Sequence, residues 1–157
     1  HGRKINYVDG SEKGNAVGIF AAKDFFVPQE RFAIAYGDEV FAGDEMTRCL
    51  ANKYSWLCYH VPDPTKTGVL TIAHDWKILE VIEKPSQPKS NLAADGFMVV
   101  SADIFKYDLI KHANGEYYFS DVVGKFLKDY GMTAVMASPG HTQLTTPNDI
   151  DFLDSSY

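Results

Sequence analysis

The sequence predicts a single α/β domain with a mixed, largely parallel sheet, flanking helices and an inserted β-hairpin. Short apolar segments bounded by Gly or Pro alternate along the chain with segments whose apolar residues recur at helical spacing. The 157 residues, 45% of them hydrophobic, can bury one sizeable core. Because no repeat or linker divides them, we expect one domain over residues 1–157 with strands alternating with helices.

The first half of the chain alternates between predicted helices and strands. The predicted elements are an apolar helix over 16–26, a strand over 32–36, an amphipathic helix over 43–55 and a strand over 57–61. The strand FAIAY is short, follows a Pro-containing turn and ends at Gly37, which is typical of a buried strand.

The second half predicts a hairpin followed by a strand, a helix and a last strand. The hairpin covers 68–72 and 77–84, a strand passes into a short helix over 97–105, and an amphipathic helix over 121–131 precedes a strand over 132–137. Ser101 is expected to be the N-cap of the short helix, and Gly131 the C-cap of the amphipathic one.

Charge and composition exclude several function classes. Lys and Arg total 15 against 21 Asp and Glu, a net charge of −6, which argues against nucleic acid as a partner. The apolar runs are too short to span a bilayer and no secretory leader opens the chain, so we expect a soluble, cytoplasmic protein with no membrane partner. Cys49 and Cys58 lack CxxC spacing and are expected to be reduced, partly buried thiols.

An acidic residue follows the predicted strand over 32–36. Ligands of open α/β sheets bind just beyond the carboxyl ends of strands, and Asp38 is therefore placed to hold a hydrated Mg²⁺ over a phosphate. The alternative is that Asp38 caps the helix that follows. This feature alone does not decide between the two.

Two further segments carry polar residues at strand ends. Glu83 could accept hydrogen bonds from sugar hydroxyls while Lys84 neutralises a phosphate, or the two could form a solvated charge pair. Asn91 and Gly96 lie in SNLAADG, where small residues would let a ligand approach the backbone, or where a polar turn simply feeds a core strand.

Taken in order, five segments resemble the sugar nucleotidyltransferase family from about Tyr7 onwards. They are GNAVGIFAAKDF, AYGDEVF, VPDPTKTGVLTI, VIEKPSQPKSNLAADGFMVVSADIF and GEYYFSDVVGKFL. The resemblance implies a Rossmann-like nucleotidyltransferase fold on which a nucleoside triphosphate and a sugar 1-phosphate are joined to a nucleotide sugar, releasing pyrophosphate. It also implies Mg²⁺ as cofactor, with these sugar phosphates and nucleotides as the small-molecule partners.

The resemblance carries roles onto individual residues. Asp38 would be the catalytic, metal-binding aspartate, Gly68 the glycine that contacts the sugar, and Glu83 the acceptor for sugar hydroxyls. Lys84 would be the catalytic lysine that holds the sugar phosphate.

Further positions would shape the rest of the site. Asn91 and Gly96 would shape the sugar pocket, and Gly14 and Asn15 would lie near the nucleotide base. Asp121 matches a family aspartate whose expected role is helix capping.

The chain also departs from the family pattern. The GxGTR loop that wraps the triphosphate is missing, Gln143 stands where the family has its second metal-binding aspartate, and Asn114 replaces an arginine. Three explanations follow, in order of expectation: an N-terminally truncated fragment with little activity alone, a non-catalytic binder of sugar phosphate or nucleotide sugar, and an interaction module. Truncation would expose an edge of the strand over 32–36, so we expect a homo-oligomer.

The aromatic run Tyr117-Tyr118-Phe119 permits two interpretations. Its rings could stack on a nucleotide base, but core packing at the start of the following helix is favoured.

Overall fold

The computed structural model describes residue 2, residues 4–139 and the backbone of residues 142–143. Its helices are α1 (Asn15–Ala21), α2 (Gly43–Leu50) and α3 (Phe119–Tyr130), with 3₁₀ turns at Lys23–Phe25, Pro64–Lys66 and Ala102–Lys106. The strands are β1 (Arg31–Ala35), β2 (Glu39–Val40), β3 (Ser55–His60), β4 (Gly68–Ile72), β5 (Ile78–Glu83), β6 (Leu92–Ser101), β7 (Thr133–Met136) and β8 (Thr142–Gln143). None of the helices in these residues has the length and apolar character needed to cross a membrane.

A six-stranded sheet forms the centre of the fold, in the order β5-β4-β6-β3-β7 with β1 also paired to β6. The α/β class and the hairpin of β4 and β5 are confirmed. The largely parallel arrangement is wrong: β3 and β7 are parallel, whereas the other pairs of this sheet are antiparallel. The strand β6, buried along most of its length, is antiparallel to all three of its neighbours.

The sheet forks beside β6. The strand β3 runs along one edge of β6, so β1 and β4 share the other edge. There β1 pairs with the carboxyl-terminal half, from Phe97 to Ser101, and β4 pairs with β6 at Ala93. The stretch from Ala94 to Gly96 therefore lies between the ends of β1 and β4, and a gap opens on that edge.

Two apolar clusters cover the two faces of the sheet. The larger one packs α1 and α3 against it, with Phe119 and Phe126 fully buried. The smaller one packs Cys49 of α2 against Leu57 and Val99. Both cysteines are free, as predicted, but they are fully rather than partly buried. Burial raises the pKa of the Cys58 thiol to about 12.

One edge of β1 faces away from β6. The Tyr36 N–H donates to the Gly96 carbonyl at 2.9 Å, and the Ala102 N–H donates to the Glu30 carbonyl at 2.8 Å, so the even-numbered positions bond to β6. Arg31, Ala33 and Ala35 consequently direct their N–H and C=O groups outward. No other described strand pairs with β1. This open edge is a template for pairing with a second chain.

We expect the chain to dimerise through this edge and Ala33→Pro to make it monomeric. Proline removes the outward N–H of Ala33 without removing a bond to β6, and proline is tolerated on edge strands. Ala33→Val keeps the N–H and should remain dimeric. Light scattering with each variant measures the mass, and a monomeric parent chain would contradict the expectation.

Candidate functional site

A cavity of about 200 Å³ occupies the fork in the sheet. Four of the predicted site residues line it, from four separate segments: Asn15, Gly68, Glu83 and Gly96. This volume is below the roughly 300 Å³ at which drug-sized pockets begin, so it suits a single sugar ring better than a whole nucleotide sugar.

The hairpin places Glu83 against Gly68 on one wall. The two residues are direct cross-strand partners in β4 and β5. A Cβ atom on residue 68 would lie 3.2 Å from Oε2 of Glu83 and 3.6 Å from Cβ of Ala94. Ser120 of α3 donates a hydrogen bond to the same Oε2 at 2.7 Å. The absence of a side chain on Gly68 thus keeps the wall open, and Ser120 fixes the carboxylate that faces it.

Gly96 forms the opposite wall together with Tyr36 and Glu39. A Cβ atom on residue 96 would lie 2.7 Å from Cβ of Tyr36 and 2.8 Å from Oε1 of Glu39. The Gly96 N–H donates to Oε2 of Glu39 at 2.9 Å. This close approach requires glycine, which is the physical reason for a glycine inside a buried strand.

Asn15 connects three elements beside the cavity. Its Nδ2 donates to the Tyr36 hydroxyl at 2.9 Å, and its Oδ1 accepts from the Phe119 N–H at the start of α3 at 2.9 Å. Gly14 has φ of 102°, and a Cβ there would lie 2.5 Å from the carbonyl oxygen of Tyr117. Gly14 therefore lets the chain pass close to Tyr117 and brings Asn15 into place.

Asp38 lies outside the cavity, in the exposed turn between β1 and β2. Burial raises the pKa of Tyr36, and the carboxylates of Glu83 and Asp38 add to this increase. Asp38 is thus within electrostatic range of the cavity. It does not cap α2: the Ala42 N–H at the start of that helix donates to Glu45 at 2.7 Å.

Strand β8 places Gln143 beside this turn. Glu39 and Gln143 are cross-strand partners in the pairing of β2 with β8, so the Gln143 backbone lies one position from Asp38. Within residues 4–139, no three His, Cys, Asp or Glu side chains cluster at metal-binding distance.

Lys84 and Asn91 do not line the cavity. Lys84 follows Glu83 with φ of 43°, its N–H donates to the Thr67 carbonyl at 2.9 Å, and its Nζ lies 4.9 Å from the centroid of the Tyr118 ring. Asn91 is exposed and bonds to His60 at 2.9 Å.

Asp121 also has a different contact from the one predicted. It lies in the first turn of α3, but its Oδ2 binds Nε2 of His112 at 2.6 Å. The side chain that satisfies an N–H at this helix start is Asn15. The expected capping role of Asp121 is therefore wrong.

Several lining residues were not predicted from the sequence, namely Tyr36, Glu39, Asp95 and Ser120. Asp95 is 3% exposed and accepts a hydrogen bond from the Gly96 N–H. A carboxylate inside an otherwise apolar strand is rarely buried without a specific reason, so Asp95 carried a usable signal. The sequence around Ser120 gave no such signal, because its contact with Glu83 depends on how α3 packs over β5.

The sequence matches the family model described as nucleotidyl transferase over residues 4–140. The chain belongs to the nucleotidyl transferase family. It is 27% identical over 157 residues to the bifunctional protein GlmU of Methanocaldococcus jannaschii, covering 94% of this chain and 36% of that protein. It is 26% identical over 153 residues to the glucose-1-phosphate thymidylyltransferase of Neisseria gonorrhoeae, covering 92% of this chain and 53% of that enzyme.

The fold agrees with solved nucleotidyl transferase structures. A UDP-glucose pyrophosphorylase complexed with UDP-glucose superposes with a TM-score of 0.77 at 19% identity, over 94% of this chain and 63% of that one. At this identity the likeness establishes the fold alone. The chain spans about a third to a half of the length of the two curated relatives above.

Proposed function

We propose that this nucleotidyl transferase domain binds a sugar 1-phosphate in the cavity at the sheet fork, as the sugar half of a sugar-1-phosphate nucleotidylyltransferase. The proposal rests on one observation. Gly68, Glu83 and Gly96 lie on three different strands, β4, β5 and β6, and all three line the same cavity. These are residues to which the family resemblance assigns sugar contacts.

The chemistry of the walls supports a sugar ligand. A sugar ring presents hydroxyl donors, and Glu83 is a carboxylate acceptor whose Oε2 is already oriented by Ser120. Gly68 offers close approach of the backbone to a hydroxyl. Lys84, next to Glu83 at the end of β5, provides the positive charge for the phosphate.

The residues at the turn after β1 fit a magnesium ion that arrives with the triphosphate. Mg²⁺ keeps several waters and is often held by one or two carboxylates plus substrate phosphates, so the exposed Asp38 would be one such carboxylate ligand. When bound, the ion would neutralise charge on the phosphate oxygens. Asp38 is the residue that would hold it.

The proposed reaction requires no protein nucleophile. An oxygen of the sugar phosphate forms a bond with the α-phosphorus of the triphosphate, the bond from that phosphorus to the bridging oxygen breaks, and pyrophosphate leaves. Glu83 would orient the sugar, and Lys84 would reduce the repulsion between the two phosphate groups.

A second candidate is binding of the sugar phosphate without turnover. The sequence favours it, because Gln143, an amide residue, stands where the family resemblance expects a metal-binding aspartate. An amide brings no charge to offset the dehydration of Mg²⁺. The cytoplasmic location and the absence of nucleic-acid and membrane partners stay predictions.

Titration calorimetry with glucose 1-phosphate tests the proposal. Glu83→Ala should weaken binding at least tenfold, since a hydrogen bond to a charged group contributes about 1.5–3 kcal/mol. Glu80→Ala, on the same strand but outside the cavity and paired to Lys89, should leave the affinity unchanged.

The outcomes separate the candidates. Binding with release of pyrophosphate from added nucleoside triphosphate supports the transferase, and binding without release supports the non-catalytic binder. If neither glucose 1-phosphate nor mannose 1-phosphate binds, the sugar-phosphate proposal is wrong.

A further inference from the structure

The aromatic run over 117–119 separates into three environments. Phe119 is fully buried in the core, and Tyr117 pairs through its backbone with Lys13 and Ala16. Tyr118 is half-buried, and its ring lies beneath the ammonium of Lys84. Core packing therefore explains Phe119, whereas the ring of Tyr118 contacts the lysine that the proposed function assigns to the sugar phosphate.

The backbone of Lys84 is held in an uncommon conformation. Its φ of 43° is in the left-handed region, which L residues rarely adopt, and Pro85 follows it. The N–H of Lys84 is fixed by the Thr67 carbonyl at 2.9 Å. A strained backbone conformation of this kind persists where the surrounding contacts determine it. Here it changes the direction of the Lys84 side chain directly after β5 ends at Glu83.

The ring of Tyr118 is itself immobilised. Asn114 donates to its hydroxyl at 2.7 Å, and a hydrogen bond from that hydroxyl is the main reason that the pKa of Glu116 is lowered. His112 contacts the ring in an edge arrangement, with centroids 4.7 Å apart, and is held by Asp121 at 2.6 Å. The Tyr118 side chain, on which the Lys84 ammonium lies, is therefore held both at its hydroxyl and at its ring.

Lys84 has no closer partner of opposite charge among the described residues. None of the salt bridges found within residues 4–139 includes it. Glu116 is near enough for Lys84 to contribute to its lowered pKa, but Tyr118 and Asn114 hold its carboxylate. The ammonium consequently rests on a neutral face and keeps its charge available for an anion.

We propose that Tyr118 is a positioning residue, whose ring holds the Lys84 ammonium by a cation–π contact in place for the phosphate of a sugar 1-phosphate. This inference rests on the proposed function, since it concerns the same site. A lysine that is already ordered loses less conformational freedom when it binds a phosphate. Tyr118 acts through Lys84 and needs no contact with the ligand.

A double-mutant cycle with glucose 1-phosphate tests the proposal. Tyr118→Leu should weaken binding about two- to fivefold, the equivalent of the 0.5–1 kcal/mol of an exposed cation–π contact. In the Lys84→Ala background, Tyr118→Leu should have no further effect. Tyr118→Phe keeps the ring and should retain most of the affinity. Affinity for methyl α-glucoside, which lacks a phosphate, should be the same in all variants.

A matched control and a ligand-free measurement complete the test. Lys106 lies 5.1 Å from the ring of Tyr107 outside the cavity, so Tyr107→Leu removes a similar contact and should leave binding unchanged. The ε-methylene protons of Lys84 should show an upfield ring-current shift in NMR spectra of the parent chain and of Tyr118→Phe, which Tyr118→Leu abolishes.

The two proposals fail in different ways. If the parent chain binds no sugar phosphate, the proposed function fails, and the role of Tyr118 fails with it. If binding is intact but the ring-current shift is absent, or the effects of Tyr118→Leu and Lys84→Ala add, only the positioning role is overturned.

Discussion

Gly96→Ala should destabilise the fold by about 1–3 kcal/mol and abolish binding at the cavity. The added methyl group would lie 2.7 Å from Cβ of Tyr36 and 2.8 Å from Oε1 of Glu39, at a buried position of the central strand. Tyr36 and Glu39 are also hydrogen-bonded to the Gly96 backbone, at 2.9 Å each, so the methyl group can be accommodated only if these contacts shift and the wall of the cavity changes. Urea unfolding gives the free energy of unfolding.

Gly124→Ala is the control for this substitution. Its Cβ would contact Cγ1 of Val81 at an ordinary 3.5 Å, in the interior of α3. Alanine should stabilise that helix by up to about 1 kcal/mol. Equal unfolding midpoints for Gly96→Ala and Gly124→Ala would contradict the prediction that residue 96 lacks space for a methyl group.

Glu45→Ala should cost about 2–5 kcal/mol of folding free energy. Glu45 is 1% exposed, and its two carboxylate oxygens accept from the Ala42 N–H at 2.7 Å and the Ser138 N–H at 2.6 Å. Both hydrogen bonds are partly buried, and a buried donor left without an acceptor costs about 1–3 kcal/mol. The carboxylate links the segment after β2 to the segment after β7, so its loss should also loosen the pairing of β2 with β8.

Asp44→Ala, one position earlier, is the matched control. Its ion pair with Arg48 is largely exposed, and such pairs contribute at most about 1 kcal/mol. Thermal or urea unfolding of both variants measures the difference, and similar losses would contradict a special role for the buried carboxylate.

Most of the longer helices and strands could be predicted from the sequence, whereas strand pairing beyond the β4–β5 hairpin could not. The apolar run over 32–36 correctly indicated a strand, observed at Arg31–Ala35. The expected burial of this strand is wrong: Arg31, Ala33 and Ala35 are exposed, and Phe32 and Ile34 are half-buried. The apolar run also could not show that β1 is antiparallel to β6. The helix predicted over 43–55 ends at Leu50, because Tyr54 packs in the core cluster with α3 instead of continuing the helical stripe.

The family resemblance pointed to Gly68, Glu83 and Gly96, which line the cavity, and their contacts with a sugar stay predictions. Lys84 and Asn91 were predicted as site residues, but neither lines the cavity. The direction of the Lys84 side chain depends on a left-handed backbone, and that of Asn91 depends on its contact with His60. The contribution of Ser120 depends on the angle at which α3 crosses β5. The local sequence pattern predicts neither the left-handed conformation of Lys84 before Pro85 nor the packing of α3 on β5.

Asn15 has a consequence for the order in which the protein folds. Its bond to the Phe119 N–H joins residues 104 positions apart, and its bond to Tyr36 joins residues 21 positions apart. Closing a long loop costs chain entropy before the contact returns any energy, so contacts of such separation form late. The hairpin of β4 and β5 can form locally, whereas the cavity is completed only when α3 docks on the beginning of the chain. We therefore expect the cavity to form late in folding, at the step in which α3 docks on the segment that contains Asn15.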